Sequence, residues 1–474
     1  MASTASIPSA SSRSAAHYFL HVGWPELVAV CVGGMTLGFF FWYGFISRYH
    51  TGMLLTEASF LVALAGGIAV GIAGWQWYGR YFARRSEIGV PEALRVDAIS
   101  WGTLLAMWLT FILPGPSATG RSVALAAGLF CLSKLAVAIR FNRTVRDVSV
   151  TFFVTRVAII IIAELAAVII SQRPGEHSSL SSMPILAVWG RWDAVHYLDI
   201  ARQGYYGTDM AFFPLYPMLI AFVGGMIGNG LIAGLVISNA ALFFGLLFFY
   251  KLVEHQYNRH VAQRAIFYVS IFPTAIFFSA VYTEALFFAL TVASFYYIRE
   301  RRWILAGAIG FLAAMTRVEG ILLAVPFALE WWSAVRESSV ADLKTWPQEK
   351  LLRPALGMTL IPLGLASYMS FLWVLRGDPL YFSHVQIFWD RHLAAPWTSV
   401  WHSWQIIAHA SNGQIVANQA LELSFTALMI GVLIGGFRRL RPSYWWYMAL
   451  SILVPMSTSS LMSMPRFALV LFPM

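Results

Sequence analysis

The sequence predicts an all-α polytopic membrane protein, and three observations carry that expectation. Of the 474 residues, 59% are hydrophobic and only 11% are charged, whereas soluble domains carry about 25% charged residues. Several apolar runs are long enough to cross a hydrocarbon core, which takes roughly 20 helical residues. The alternating segments of about ten residues that mark a transmembrane β-barrel do not occur.

Apolar runs place the first helices at about 26–46, 58–78, 98–113, 122–139 and 151–170. A polar stretch, 171–211, follows. Further helices are expected at about 231–250, 265–281, 284–298, 303–316, 320–335, 355–375, 419–437 and 444–462, and a last run starts near 467. Residues 1–25 read as a disordered cytoplasmic N-terminus, rich in Ser and Ala at its start. The first apolar run is long enough to stay as an anchor, unlike a cleaved signal peptide. Residues 26–150 form an accessory four-helix region without polar clusters. Residues 151–474 carry every polar cluster, and their final run stops early, as a short last segment or a truncated chain would. Cys31 and Cys131 both lie in apolar runs, so no disulfide or metal framework is expected.

The net charge of +10 does not point to nucleic acid, because the basic residues cluster in short loops as cytoplasmic loops do. Segment 212–228 decides the topology. It is apolar enough to cross, but Pro214, Pro217, Gly224, Gly225 and Gly228 interrupt it. If it stays at the outer surface, the clusters Arg84–Arg85, Arg299–Arg302 and Arg438–Arg441 all fall on the inner side. If it crosses, every later loop flips and the bias is lost. Segments 171–230 and 376–418 are therefore expected outside.

Asp193 is the first candidate for chemistry. A helix over 189–201 puts His196 three residues on and Tyr197 four, so the three share a face, while Asp199 points elsewhere. Trp189 and Trp192 would anchor that helix at the interface, with Arg191 nearby. A carboxylate partly desolvated by aromatics makes a general base; a plain surface helix has the same composition. Phe212 to Pro217 forms a rigid aromatic–proline turn containing Phe213, Pro214 and Tyr216, which lines a cavity or forms a simple interfacial hairpin. Glu284 either holds a sugar hydroxyl or caps the helix that begins beside it. Arg317 and Glu319 interrupt an apolar stretch, as a functional pair or as an internal ion pair at a helix break. Asp378 and Gln386 open the second outer loop. Arg466, at the outer end of the last run, suits a phosphate or a snorkelling anchor.

Together these pieces resemble the PIG-V family of glycosylphosphatidylinositol mannosyltransferases and their prokaryotic relatives. The resemblance is carried in order by RWDAVHY (191–197), AFFPLYP (211–217), FPTAIFFSAVYTEALF (272–287), TRVEG (316–320), GDPLYF (377–382) and MPRFALVLFP (464–473). It implies a GT-C type glycosyltransferase fold over 151–474, with interfacial helices in a large first outer loop. It implies transfer of a hexose, most often mannose, from a polyprenyl-phosphate donor to a glycolipid or other glycan acceptor at the non-cytoplasmic face. The family's acidic residue maps onto Asp193 as the base of an inverting reaction. No cofactor and no metal are expected, in keeping with the lack of an Asp-x-Asp pair. Arg466 or Arg317 is then the cation for the leaving phosphate, and Arg191, Trp192, His196, Tyr197, Phe213, Pro214, Tyr216, Glu284, Glu319, Asp378 and Gln386 bind substrate. The expected partners are the lipid-linked donor, the acceptor and membrane lipid, with no nucleic acid. A secondary transporter is the competing class, although transporters place their sites near the bilayer midplane and often show internal repeats. A non-catalytic subunit that binds lipid-linked sugar is the third reading.

Overall fold

The computed structural model describes residues 30, 31, 34, 35, 38, 53–83, 135, 138, 139, 142–169, 184–337 and 351–474. The expected helix at 98–113, almost all of those at 26–46 and 122–139, the N-terminal 25 residues and Cys131 lie outside the described residues. Among the described residues the chain is all-α, with no strand beyond an isolated bridge between Leu393 and Thr458. Among the described residues, five helical segments are long and apolar enough to cross a membrane: Arg143–Ala167, Gly230–Gln256, Val318–Arg336, Arg353–Arg376 and Gly413–Gly436. This is a polytopic membrane protein.

The chain divides into two compact units, one of Met1–Arg146 with Met226–Gly228, the other of Asp147–Gly225 with Asn229–Met474. In the first, helix α1 (Met53–Ala83) has a small-residue contact: a Cβ on Gly67 would lie 2.2 Å from the carbonyl oxygen of Gly34. Apolar helices in lipid gain from such close backbone approach.

The second unit continues α2 (Arg143–Ile169) and then runs through α3 (Asp193–Gln203), α4 (Leu215–Ile227), α5 (Gly230–Gln256), α6 (Arg259–Ser270), α7 (Glu284–Arg299), α8 (Trp303–Ala314), α9 (Ala324–Arg336), α10 (Arg353–Arg376), α11 (Pro396–His409), α12 (Gly413–Gly436), α13 (Pro442–Met456) and α14 (Met464–Val470). Two expected helices need correction. The run read as 265–281 ends at Ser270, and a 3-10 turn, Ala275–Phe278, follows. Pro273 is the cause, since it lacks an N–H and disfavours helix in the residue before it. Arg156 on α2 holds that break, donating to the carbonyls of Ser270 and Ala275 and to Ser279 Oγ. The run read as 444–462 likewise stops at Met456, one residue past Pro455.

The core is aromatic: Phe278, Phe287, Phe288, Phe295 and Tyr447 are almost fully buried. Close crossings of small residues let α8 reach α10, where a Cβ on Gly307 would lie 1.9 Å from the Gly357 carbonyl oxygen. At one end Asp147 ties three helices together, accepting from Arg259, Tyr250 and Gln263.

Gly320 governs the break between α8 and α9. Its built Cβ would lie 2.3 Å from the nitrogen of Ala314 and 2.4 Å from the carbonyl carbon of Ala313. Backbone cannot yield there as a flexible side chain can. Gly320→Ala is therefore expected to destabilise the fold by about 1–3 kcal/mol or more, read as a lower midpoint of thermal unfolding in detergent. An unchanged midpoint would show that this turn has room to spare.

Candidate active site

The site begins with a strained turn. Trp192, the residue before α3, has φ 54° and ψ −120°, a conformation that costs a non-glycine residue about 1–3 kcal/mol. Its neighbours hold it there. Val281 N donates to the carbonyl of Trp189 at 3.1 Å, and the Tyr282 hydroxyl donates to the carbonyl of Arg191 at 3.0 Å. Trp189 is buried and donates its indole N–H to Glu164 at 3.1 Å, so it is a packing residue rather than an interface anchor. Trp192 itself is 65% exposed. The turn puts Asp193 in the first turn of α3, where a helix N-terminus favours negative charge.

The cation on Asp193 is Arg466. Its Nη1 donates to Asp193 Oδ2 at 2.6 Å, while Nε and Nη2 lie 2.8 and 2.7 Å from Glu284 Oε1. Arg317 reaches the same Glu284 oxygen at 3.2 Å and Glu319 at 3.5 Å. Two guanidinium groups therefore face three carboxylates. Aromatic rings flank both cations: Phe277 and Tyr282 lie against Arg466, and Phe287 and Phe467 against Arg317, an arrangement that stabilises a desolvated cation. Burial opposes the charge on Arg466, but Glu284 and Asp193 outweigh it and hold its pKa above the ordinary arginine value. Glu284 opens α7 and is fully buried, and its second oxygen, Oε2, has no partner among the described residues. Glu284 thus sits in the first turn of its helix, as expected of a carboxylate there, and also bridges two arginines.

Arg466 is placed by its own segment. Ser463 takes φ 74°, and the N–H groups of Ser463 and Met464 donate to the Glu422 carboxylate at 2.9 and 2.8 Å. Thr274 donates to the carbonyl of Pro465 at 3.0 Å. The loop after α6 thereby fixes the start of α14.

His196 and Tyr197 follow Asp193 on α3 but bond elsewhere. His196 Nδ1 lies 2.7 Å from Asp209 Oδ1, and its ring stacks on Phe212 with centroids 4.5 Å apart. The Tyr197 hydroxyl is 3.3 Å from Thr283 Oγ1; burial, with Asp193 next, pushes its pKa up. Phe213, Pro214 and Tyr216 are buried, and the Tyr216 hydroxyl meets the Gly234 carbonyl and Ser238, so this turn is packed interior. It is tied to the charge cluster through Leu215 N, which donates to the carbonyl of Met315 at 3.1 Å. The second outer loop leans on the first: Trp389 meets both His196 and Phe212 edge-on. There Asp378 is paired with His384 at 2.7 Å, whose hydrogen bond holds its pKa low. Gln386 is half-buried, and its carbonyl accepts from Arg391 N. Arg191 contributes its carbonyl to the turn.

The structure therefore brings Asp193, Glu284, Arg317, Glu319 and Arg466 into one network. Sequence reasoning did not single out Asp209, Glu422 or Arg391. Asp209 and Arg391 lie in segments whose charges look merely solvated, whereas Glu422 falls inside the expected helix 419–437, where a charge is itself a signal.

Asp193 has the feature a base needs. Arg466 occupies one carboxylate oxygen, and the other, Oδ1, has no partner among the described residues, on a side chain 30% exposed. The cluster can hold a proton acceptor beside fixed positive charge.

Comparison with known proteins bears on the same segment. The family model described as Mannosyltransferase (PIG-V) matches residues 163–328. That span includes Asp193, Glu284, Arg317 and Glu319, and ends before Arg466. No curated protein and no solved structure matches the chain.

Proposed function

We propose that this membrane protein is an enzyme that takes mannose from a polyprenyl-phosphate carrier and passes it to a hydroxyl of a glycolipid or other glycan, a reading supported by the match of the mannosyltransferase (PIG-V) family model to residues 163–328. The observation that carries the reading is the Oδ1 of Asp193, unpartnered among the described residues, beside an arginine that holds the other oxygen. In the proposed step Asp193 takes the proton of the acceptor hydroxyl. The acceptor oxygen bonds to the anomeric carbon as the bond from that carbon to the phosphate oxygen breaks. The electron pair leaves on polyprenyl phosphate, and attack from the face opposite the leaving group inverts the centre.

General base assistance of this kind is worth roughly 10²–10⁴-fold in rate. The lipid phosphate is a built-in leaving group, so the step calls on no metal. Guanidinium charge at the site opposes the charge that develops on that phosphate, an electrostatic contribution that grows where water is excluded. The clustering of basic residues in the loops expected on the other side supports a reaction at the non-cytoplasmic face.

The test compares donors. Purified chain in vesicles is expected to transfer mannose from polyprenyl-phosphate mannose and not from a mannose nucleotide. Transfer from the nucleotide alone would sink the proposal. Mass spectrometry of glycolipids from cells with and without the gene then identifies the acceptor, as a species short of one hexose.

A further inference from the structure

The charge cluster has a third arginine with a different standing. Arg466 and Arg317 are each engaged by two carboxylates. Arg391 is engaged by none among the described residues. Its Nη2 donates to the carbonyl of Met462, and Nε is buried without a partner among the described residues.

Its place is nonetheless fixed. Asp390 takes φ 52°, and its carbonyl accepts from Ser459 Oγ at 2.7 Å. Ser459 N donates to the His392 carbonyl at 3.0 Å, and Ala394 N to the Ser457 carbonyl at 3.0 Å. The strand-like pairing of 390–394 with 457–462 runs directly into the turn that positions Arg466. On the other side Trp389 touches His196 and Phe212. Arg391 lies close enough to feel the charges of Arg466, Asp193, Glu319 and Glu422, and burial, with Arg466 next, pushes its pKa down. A half-buried guanidinium with open donors and a second arginine nearby is costly unless an anion completes it. Its planar array of N–H donors suits phosphate oxygens.

We infer that Arg391 is the residue that binds the phosphate of the lipid-linked donor, while Arg466 serves to position Asp193 and Glu284. The inference rests on the donor class proposed above. It divides the roles of the arginines by what each already holds: committed cations keep the acids in place, and the uncommitted one meets the substrate.

The experiment uses the full chain in neutral vesicles and three probes: a polyprenyl monophosphate, inorganic phosphate, and vesicles containing an anionic phospholipid. Binding is followed by tryptophan fluorescence, and transfer by donor and acceptor kinetics. Arg391→Ala is expected to weaken polyprenyl monophosphate binding and raise the donor KM by about ten- to a hundredfold, the range of a lost hydrogen bond to a charged group. The acceptor KM stays unchanged, and Arg391→Lys recovers part of the donor affinity. If Arg391→Ala fails to fold, Arg391→Gln, which keeps a donor for the Met462 carbonyl, takes its place. Wild-type affinity for polyprenyl monophosphate in the variant, while the wild type still uses the lipid donor, would overturn the assignment and leave the function standing. So would an Arg391 dependence confined to inorganic phosphate or to anionic phospholipid. A wild type that neither binds the lipid phosphate nor uses the lipid donor would overturn both.

Discussion

Asp193→Asn is expected to lower mannose transfer by roughly 10²–10⁴-fold while leaving the protein folded and its donor affinity close to wild type. The substitution is nearly isosteric. Asparagine can present an oxygen to Arg466 Nη1, which now bonds Asp193 at 2.6 Å, so the link to α14 survives in weakened form. What is lost is the ability to take a proton. Asp193→Ala removes the link as well, and the gap between the two variants in thermal stability measures its structural share. Transfer by Asp193→Asn within tenfold of wild type would remove Asp193 from the base role.

Glu284→Ala carries the second large effect, on stability. Glu284 is fully buried and holds both Arg317 and Arg466 on one oxygen. Without it, Arg317 keeps only Glu319 at 3.5 Å, and Arg466 keeps only Asp193. Removing one partner of a buried ion pair costs about 3–5 kcal/mol, because the remaining charge stays out of water uncompensated. Native proteins are stable by only about 5–15 kcal/mol, so little folded Glu284→Ala protein should be recovered. Glu284→Gln, which retains an acceptor oxygen, should lie between. An unfolding midpoint for Glu284→Ala equal to wild type would mean that the arginines find water or other acceptors.

Single polar residues in apolar sequence were the legible part of the site. Glu284, Arg317 and Arg466 stand out because a charge amid or beside lipid-facing residues is expensive, and Asp193 because helical spacing puts it on one face with His196 and Tyr197. Long helices were legible for the same reason of composition: the expected 231–250, 355–375 and 419–437 appear as Gly230–Gln256, Arg353–Arg376 and Gly413–Gly436. Who pairs with whom was not. Helical spacing correctly puts His196 and Tyr197 on the helix that Asp193 opens, yet His196 turns to Asp209 and Tyr197 to Thr283. Spacing along one helix says nothing about what another segment presents to it. The burial of Trp189 escaped for a related reason, since an indole at an interface and an indole in a core have the same local sequence signature. Gly320 was visible as part of a motif, but the backbone pressed against it was not.

The bond between Asp193 and Arg466 joins residues 273 positions apart. Translation adds roughly 5–20 residues per second, so the acid is made some tens of seconds, to order of magnitude, before its cation. During that interval the growing chain carries Asp193 without the arginine that bonds it. A chain stalled before Met464 would hold Asp193, Glu284, Arg317 and Glu319 without Arg466. If Asp193 acts as proposed, activity requires that insertion has run through α14.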